Sequence, residues 1–284
     1  MTATPTATTR PIRALGHHFD VTASSSLARH VDHVFAALAT TQLAPHHYEL
    51  RTEPAADETP MWDVRLDGER LRRFESLGGA YTYLCWHVNR QALDGCHDRL
   101  LLHAACAADE RGRAVLLPAE MESGKTTTVA GLVRDGLAYV TDEATVLDVD
   151  DGTIEPYPKP LSVDRGSWTV LADLRPHVAP ELVGSQWQVP GQAVGELAGR
   201  SRPALVVSPQ YVPGLDIEIE RVSPAQTLML LIHNTFNLPD FQQPGFHALE
   251  KVARSCPGYR LRHGRLDLAV DAIRGLLDDL EQAP

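Results

Sequence analysis

Apolar and polar positions change rhythm several times along this chain of 284 residues. Between Phe19 and Leu38, apolar positions at Leu27, Val31, Val34, Phe35 and Leu38 recur at helical spacing behind Ser24-Ser25-Ser26, which predicts a capped amphipathic helix. Met61 to Arg65 alternates, Asp67-Gly68 is a tight-turn dipeptide, and Leu71 to Phe74 alternates again, so a β-hairpin is expected. Gly78-Gly79 opens a second helix running to about Leu93, with Tyr81, Leu84, Cys85 and Val88 on one face. Residues 17–98 therefore read as a small α+β subdomain for packing or substrate docking. The Thr-, Ala- and Pro-rich segment 1–16 before it reads as a disordered tail.

From residue 99 to residue 284 the pattern is that of a second domain. Leu100 to Ala108 is a short apolar run, Asp109 to Arg113 is turn material, and Ala114 to Ala119 has the length of a buried strand. Thr126 to Arg134 reads as a helix with Val129, Ala130 and Val133 inward, ended by Gly136. Residues 137–149 then read as one apolar strand passing through Asp142 and Glu143. Strand, glycine-containing loop, helix and strand make the βαβ unit of an α/β sheet. Beyond it the pattern predicts a helix around Trp168 to Leu174, strands near 204–208 and 215–220, and a helix from Ser223-Pro224 to about Phe236. A helix over Gly245 to Arg254, a strand over Tyr259 to Arg262 and an amphipathic helix over Asp267 to Leu280 complete the chain.

Composition narrows the function classes. A formal net charge of −11 argues against coating nucleic acid, which needs clustered Lys and Arg. No apolar run approaches the roughly eighteen residues of a membrane-spanning helix, and the N-terminus lacks the basic and apolar regions of a secretory signal. The four cysteines, Cys85, Cys96, Cys106 and Cys256, form no CxxC pair, so they are expected as buried free thiols of a reducing cytoplasm.

The candidate chemistry lies in Pro118 to Thr128, PAEMESGKTTT. A phosphate-binding loop needs backbone N–H groups turned to one locus, a helix starting there, and a lysine reaching the β- and γ-phosphates. Gly124 supplies the turn, Lys125 the cation, Thr126 a hydroxyl for Mg²⁺, and the backbone of Glu122, Ser123, Gly124, Lys125, Thr126 and Thr127 the cradle for ATP. Ala119 stands where the pattern G-x-x-x-x-G-K-[ST] has its first glycine, a departure that a negative φ at that residue absorbs. Glu120 and Glu122 are expected to face solvent or a neighbouring cation, with metal holding or catalysis the second reading for Glu122. Asp142 and Glu143 begin seventeen positions after Lys125 (142 minus 125), where a strand-end carboxylate can hold Mg²⁺ or act as a base.

The run from Leu100 to Asp148, LLLHAACAADERGRAVLLPAEMESGKTTTVAGLVRDGLAYVTDEATVLD, resembles the core of the HPr kinase/phosphorylase family, and more closely its related bacterial serine kinases. The resemblance implies an α/β P-loop kinase core with a mixed sheet, of a kind shared with phosphoenolpyruvate carboxykinases, behind the small N-terminal α+β subdomain. In that family a histidine precedes the loop strand, the loop reads like GxSGxGKS, and an Asp-Asp pair ends the next strand. The counterparts are His103, the segment 119–126, and Asp142-Glu143. The resemblance implies ATP and Mg²⁺ as cofactors, Asp142 as base, Lys125 as a catalytic cation, His103 near the reacting phosphate, and Thr126 with Glu143 as metal ligands. A core histidine is the plain alternative for His103. Lys159 and Arg165 are candidates for a charge clamp, or ordinary surface cations.

Ala119 and Glu143 depart from the family pattern, and its glycine-rich protein-recognition signature has no copy here. The resemblance therefore carries ATP-dependent phosphorylation of a hydroxyl on a peptide, a small protein or a small metabolite. HPr as acceptor, and phosphorolysis, are not carried over. It also admits a homo-oligomer. The competing reading is a non-catalytic nucleotide-binding regulator of the same fold; a carboxykinase-like enzyme would need dicarboxylate-binding groups that the chain does not display.

Overall fold

The structure is a computed structural model that describes residues 5–54 and 60–282. It divides by contacts into two compact units, Met1–Cys96 with Lys159–Ala193, and His97–Pro158 with Val194–Pro284. The segment Lys159–Ala193, which the sequence pattern assigns to the second domain, groups with the first.

The first unit begins with β1 (Thr6–Thr8), β2 (Ile12–Ala14) and β3 (His17–Ser24), continues through α1 (Ser25–Val34), β4 (His46–Pro54), β5 (Pro60–Leu66) and β6 (Glu69–Phe74), and reaches α2 (Leu77–Asp94). Its sheet runs β1-β3-β4-β5-β6 with β2 on β3. Two expectations are corrected here. The described part of the supposed tail, from residue 5, carries β1 and β2, because Ile12 and Ala14 bury against the core. Residues 1–4 lie outside the described residues. The helix expected from Phe19 starts only at Ser25, since His17, Phe19, Val21 and Ala23 alternate inward at a strand's period of two. The hairpin expectation holds: Asp67 and Gly68 both take positive φ, 50° and 86°, as a two-residue turn of matching twist requires. Ser76 caps α2 by accepting the Gly79 N–H at 3.2 Å.

The second unit opens with β7 (Leu100–Ala108), β8 (Arg113–Pro118), α3 (Lys125–Arg134), β9 (Ala138–Thr141), β10 (Ala144–Leu147) and β11 (Ile154–Glu155). Residues 137–149 are thus not one strand: the ladder breaks at Asp142-Glu143. The first unit then resumes with β12 (Leu161–Asp164) and β13 (Gln186–Val189), an antiparallel pair. Between them the helix expected over Trp168 to Leu174 is replaced by 3₁₀ turns at Arg165–Ser167 and Ala172–Leu174. Within that stretch only Leu171 and Leu174 are buried, too little apolar surface for a helical face.

After a single turn, α4 (Gly191–Val194), come β14 (Arg202–Tyr211), β15 (Ile217–Val222), α5 (Pro224–His233), α6 (Leu238–Ser255), β16 (Gly258–His263) and α7 (Leu266–Gln282). Ser223 and Gln226 form a reciprocal capping box on α5. That helix stops at His233, short of Phe236, and α6 starts earlier than expected, with a kink at Gln242 before Pro244.

The sheet of the second unit has the order β11-β10-β7-β8-β14-β16-β15, with β9 also on β7. Strands β8, β14 and β16 are mutually parallel, while β7 runs antiparallel to β8, β9 and β10. The expected βαβ crossover from β8 through α3 therefore spans an antiparallel strand. Leu102, Ala104, Leu116 and Val206 on one face of this sheet pack with Leu249 and Val252 of α6. No helix among the described residues is long and apolar enough to cross a membrane.

Candidate functional site

Strand β8 delivers the chain to Pro118, and α3 begins seven residues later at Lys125 (125 minus 118). Ala119 is buried and is not among the described residues with positive φ, so its methyl group fits the loop without strain. The positive φ values fall instead at Glu122, 63°, and Gly124, 96°. Two left-handed residues on either side of Ser123 give the loop the alternating hand in which successive N–H groups converge on one concavity. Glycine adopts that backbone freely; glutamate does so at a cost of about 1 kcal/mol.

Just past Gly124 the first N–H groups of α3 have no intrahelical partner, and no acidic side chain occupies its first turn. Glu120 and Glu122 are solvent-exposed, and the Glu120 charge also bears on Lys125. Ser123 accepts the Tyr211 N–H on its carbonyl oxygen at 3.0 Å, and its buried hydroxyl has no hydrogen-bond partner. Thr126 and Thr127 are partly buried on the first turn of α3.

Lys125 is only 7% exposed, and its Nζ donates to the carbonyl oxygens of Ala119 and Glu120, each at 2.6 Å. Burial pushes its ammonium group down to about 8, while Glu143, Asp142 and Glu120 oppose that shift. The same charge acts on His103, whose imidazole is lowered to about 4 by burial and further by Lys125. Lys125 thus shares an electrostatic neighbourhood with the adjacent pair Asp142-Glu143 and with His103, each distant from it in sequence.

Strand register explains the convergence. On β7, Ala104 pairs with Pro118 of β8, while His103 and Cys106 pair on the other side with Ala144 and Thr141. The break at Asp142-Glu143 therefore lies level with the start of the loop, one strand away. Asp142 is 4% exposed and accepts the Tyr139 hydroxyl on Oδ1 at 3.0 Å, and Glu143 is partly buried beside it. The backbone of His103 donates to Asn234 O at 2.6 Å, and its ring lies 5.2 Å from that of Phe236.

Lys159 and Arg165 belong to the first unit, where both are locally engaged. Lys159 Nζ donates to Pro160 O at 3.0 Å, and the Arg165 guanidinium lies 5.6 Å from the Trp168 ring centroid. Two residues of the site escape the sequence reading, Tyr139 and Tyr211. Neither carries a motif, and only the register places them. All four cysteines are buried, and none is in a disulfide.

The arrangement can cradle an oxyanion at the helix start, neutralise it with Lys125, and present carboxylate oxygens at its far side. Among the described residues no cluster of three or more His, Cys, Asp or Glu side chains could hold a metal unaided.

No family model matches the chain, and no curated protein matches it. Among solved structures it is similar to the HPr(Ser) kinase/phosphatase from Coxiella burnetii, at 12% identity and a TM-score of 0.31, over 64% of this chain and 98% of that one. A likeness that slight leaves the site to be judged on its own geometry.

Proposed function

We propose that this protein is an ATP-dependent phosphotransferase that moves the γ-phosphoryl group to a hydroxyl of a peptide, a small protein or a small metabolite. The observation that carries the proposal is the strand register that sets His103 and Asp142-Glu143 level with the start of a loop holding buried Lys125 and left-handed residues at Glu122 and Gly124. Backbone N–H groups of Ser123 to Thr127 would bind the phosphates, with Lys125 exchanging its carbonyl partners for phosphate oxygens. Thr126 and Glu143 would hold Mg²⁺, which supplies neutralisation of the phosphate charge when bound. The acceptor oxygen attacks the γ-phosphorus as its proton passes to the Asp142 carboxylate. The bond from that phosphorus to the bridging oxygen breaks, and ADP leaves. His103, neutral at pH 7, can donate one N–H to a phosphoryl oxygen.

The burial of Asp142 and its bond to Tyr139 favour a second reading, a nucleotide-binding regulator that transfers nothing. Incubation with γ-labelled ATP and candidate peptides, followed by mass spectrometry, decides between them. An added phosphate that disappears in Asp142→Asn supports transfer; unchanged labelling in that variant removes Asp142 as the base. ATP binding without labelling of any acceptor supports the regulator.

A further inference from the structure

We infer that Tyr211 is the platform on which the nucleobase of the bound nucleotide stacks, an inference that rests on the phosphate-loop reading above. The acids stand on one side of the loop, beyond β7; β14 stands on the other, beside β8. A nucleotide whose terminal phosphate points toward Asp142 and Glu143 must carry its nucleoside toward β14. Strand β14 continues past the end of β8 alongside the loop, and its last residue, Tyr211, binds Ser123 O through its backbone N–H at 3.0 Å. A Cβ placed on Gly124 would lie 3.5 Å from the Tyr211 Cβ, so the tyrosine side chain starts in contact range of the loop's last turn.

Side-chain direction agrees. Val206 packs on the α6 face of the sheet, so Tyr211, an odd number of residues further on, projects from the opposite face. Tyr211 is 53% exposed, although Leu205 to Val207 and Pro209 of the same strand are buried. Aromatic rings offered this way bind bases of any sequence through their π-faces.

An independent observation comes from His263, which pairs with Tyr211 across β14 and β16 and shares its face. Its ring stands 6.2 Å from that of Tyr211 at 74°, edge to face. The imidazole is 3% exposed, and neither ring nitrogen has a hydrogen-bond partner of good geometry, although the Arg265 backbone bears on its charge. Burial of this imidazole beneath the Tyr211 ring leaves the tyrosine standing on a packed residue rather than on solvent.

Calorimetry with ATP and with inorganic tripolyphosphate, both with Mg²⁺, tests the inference in wild type, Tyr211→Ala, Tyr211→Phe and Lys125→Ala. Tyr211→Ala is expected to lose about tenfold in ATP affinity and nothing for tripolyphosphate, with Tyr211→Phe near wild type. Wild-type ATP affinity in Tyr211→Ala would overturn the platform while leaving the loop intact, provided Lys125→Ala weakens both ligands. Equal losses for both ligands in Tyr211→Ala would also overturn it, since Tyr211 would then shape the loop rather than meet a base. If Lys125→Ala changes neither ligand, the phosphate loop itself fails and the platform with it.

Discussion

Lys125 Nζ reaches back across its own loop to the carbonyl oxygen of Ala119, 2.6 Å away. This bond keeps a buried ammonium hydrogen-bonded within the loop, in a spot where the Asp142 and Glu143 carboxylates also bear on it. Under the proposed function, phosphate oxygens would take the place of the carbonyl as its partner.

Lys125→Met should therefore cost about a hundredfold or more in ATP affinity, the scale of losing charge-assisted hydrogen bonds. ATP affinity in the wild type should fall as pH rises through about 8, the lowered pKa of this ammonium, because only its charged form attracts phosphate. Calorimetry at pH 7 and pH 9 checks both the size and the sign. A flat profile would mean that Lys125 does not meet the nucleotide.

The bond between Tyr139 Oη and Asp142 Oδ1, 3.0 Å, should orient the proposed base. Asp142→Asn is expected to lower turnover by about a hundredfold to ten-thousandfold with ATP affinity retained. Tyr139→Phe keeps the ring and removes only the hydroxyl, so a smaller loss, about tenfold, is expected in kcat rather than in KM. Steady-state kinetics with a verified acceptor measures both.

Glu122 holds a left-handed backbone, φ 63°, with its side chain in solvent. Glu122→Gly should remove that strain, partly offset by the greater freedom of glycine in the unfolded chain, for a net gain of about 0.5–1 kcal/mol. Glu122→Val should lose about 1 kcal/mol or more, because β-branching disfavours positive φ. Urea unfolding of the two variants should move the midpoint in opposite directions.

His17, His30 and His103 are each lowered to about 4, by burial first in every case. A base whose folded pKa lies below its unfolded value near 6.5 takes up a proton more readily when unfolded. Stability should thus be insensitive to these groups above pH 6.5 and fall as pH drops from 6.5 toward 4. His17→Gln should flatten part of that slope in urea midpoints measured at pH 7, 6 and 5. An unchanged slope would show that His17 is not among the groups responsible.

The apolar runs of β7 and β8, followed by GKT, were enough to indicate strand, loop and helix, because burial on both faces leaves an unbroken hydrophobic signature. The histidine-rich start of β3 misled for a local reason. Its alternation runs directly into Ser24 to Ser26 and α1, so the two periods blur into one amphipathic stretch. Strands β1 and β2 are three residues each and built from Thr, Ala, Ile and Arg, too short to carry a period at all.

The candidate site divides along the same line. Lys125, Thr126 and the turn at Gly124 are local chemistry, and a phosphate loop is written in consecutive residues because consecutive N–H groups form it. Asp142, Glu143 and His103 could be named from the resemblance. Their nearness to Lys125 depends on β7 pairing with β8 on one side and with β9 and β10 on the other. Tyr139, Tyr211 and His263 had no local signal, since an aromatic residue on a strand is ordinary core or surface until its neighbours are known. The sequence alone determined the loop and the helix behind it. Only the tertiary structure decided what faces them, because strand register is set by packing between segments far apart in the chain.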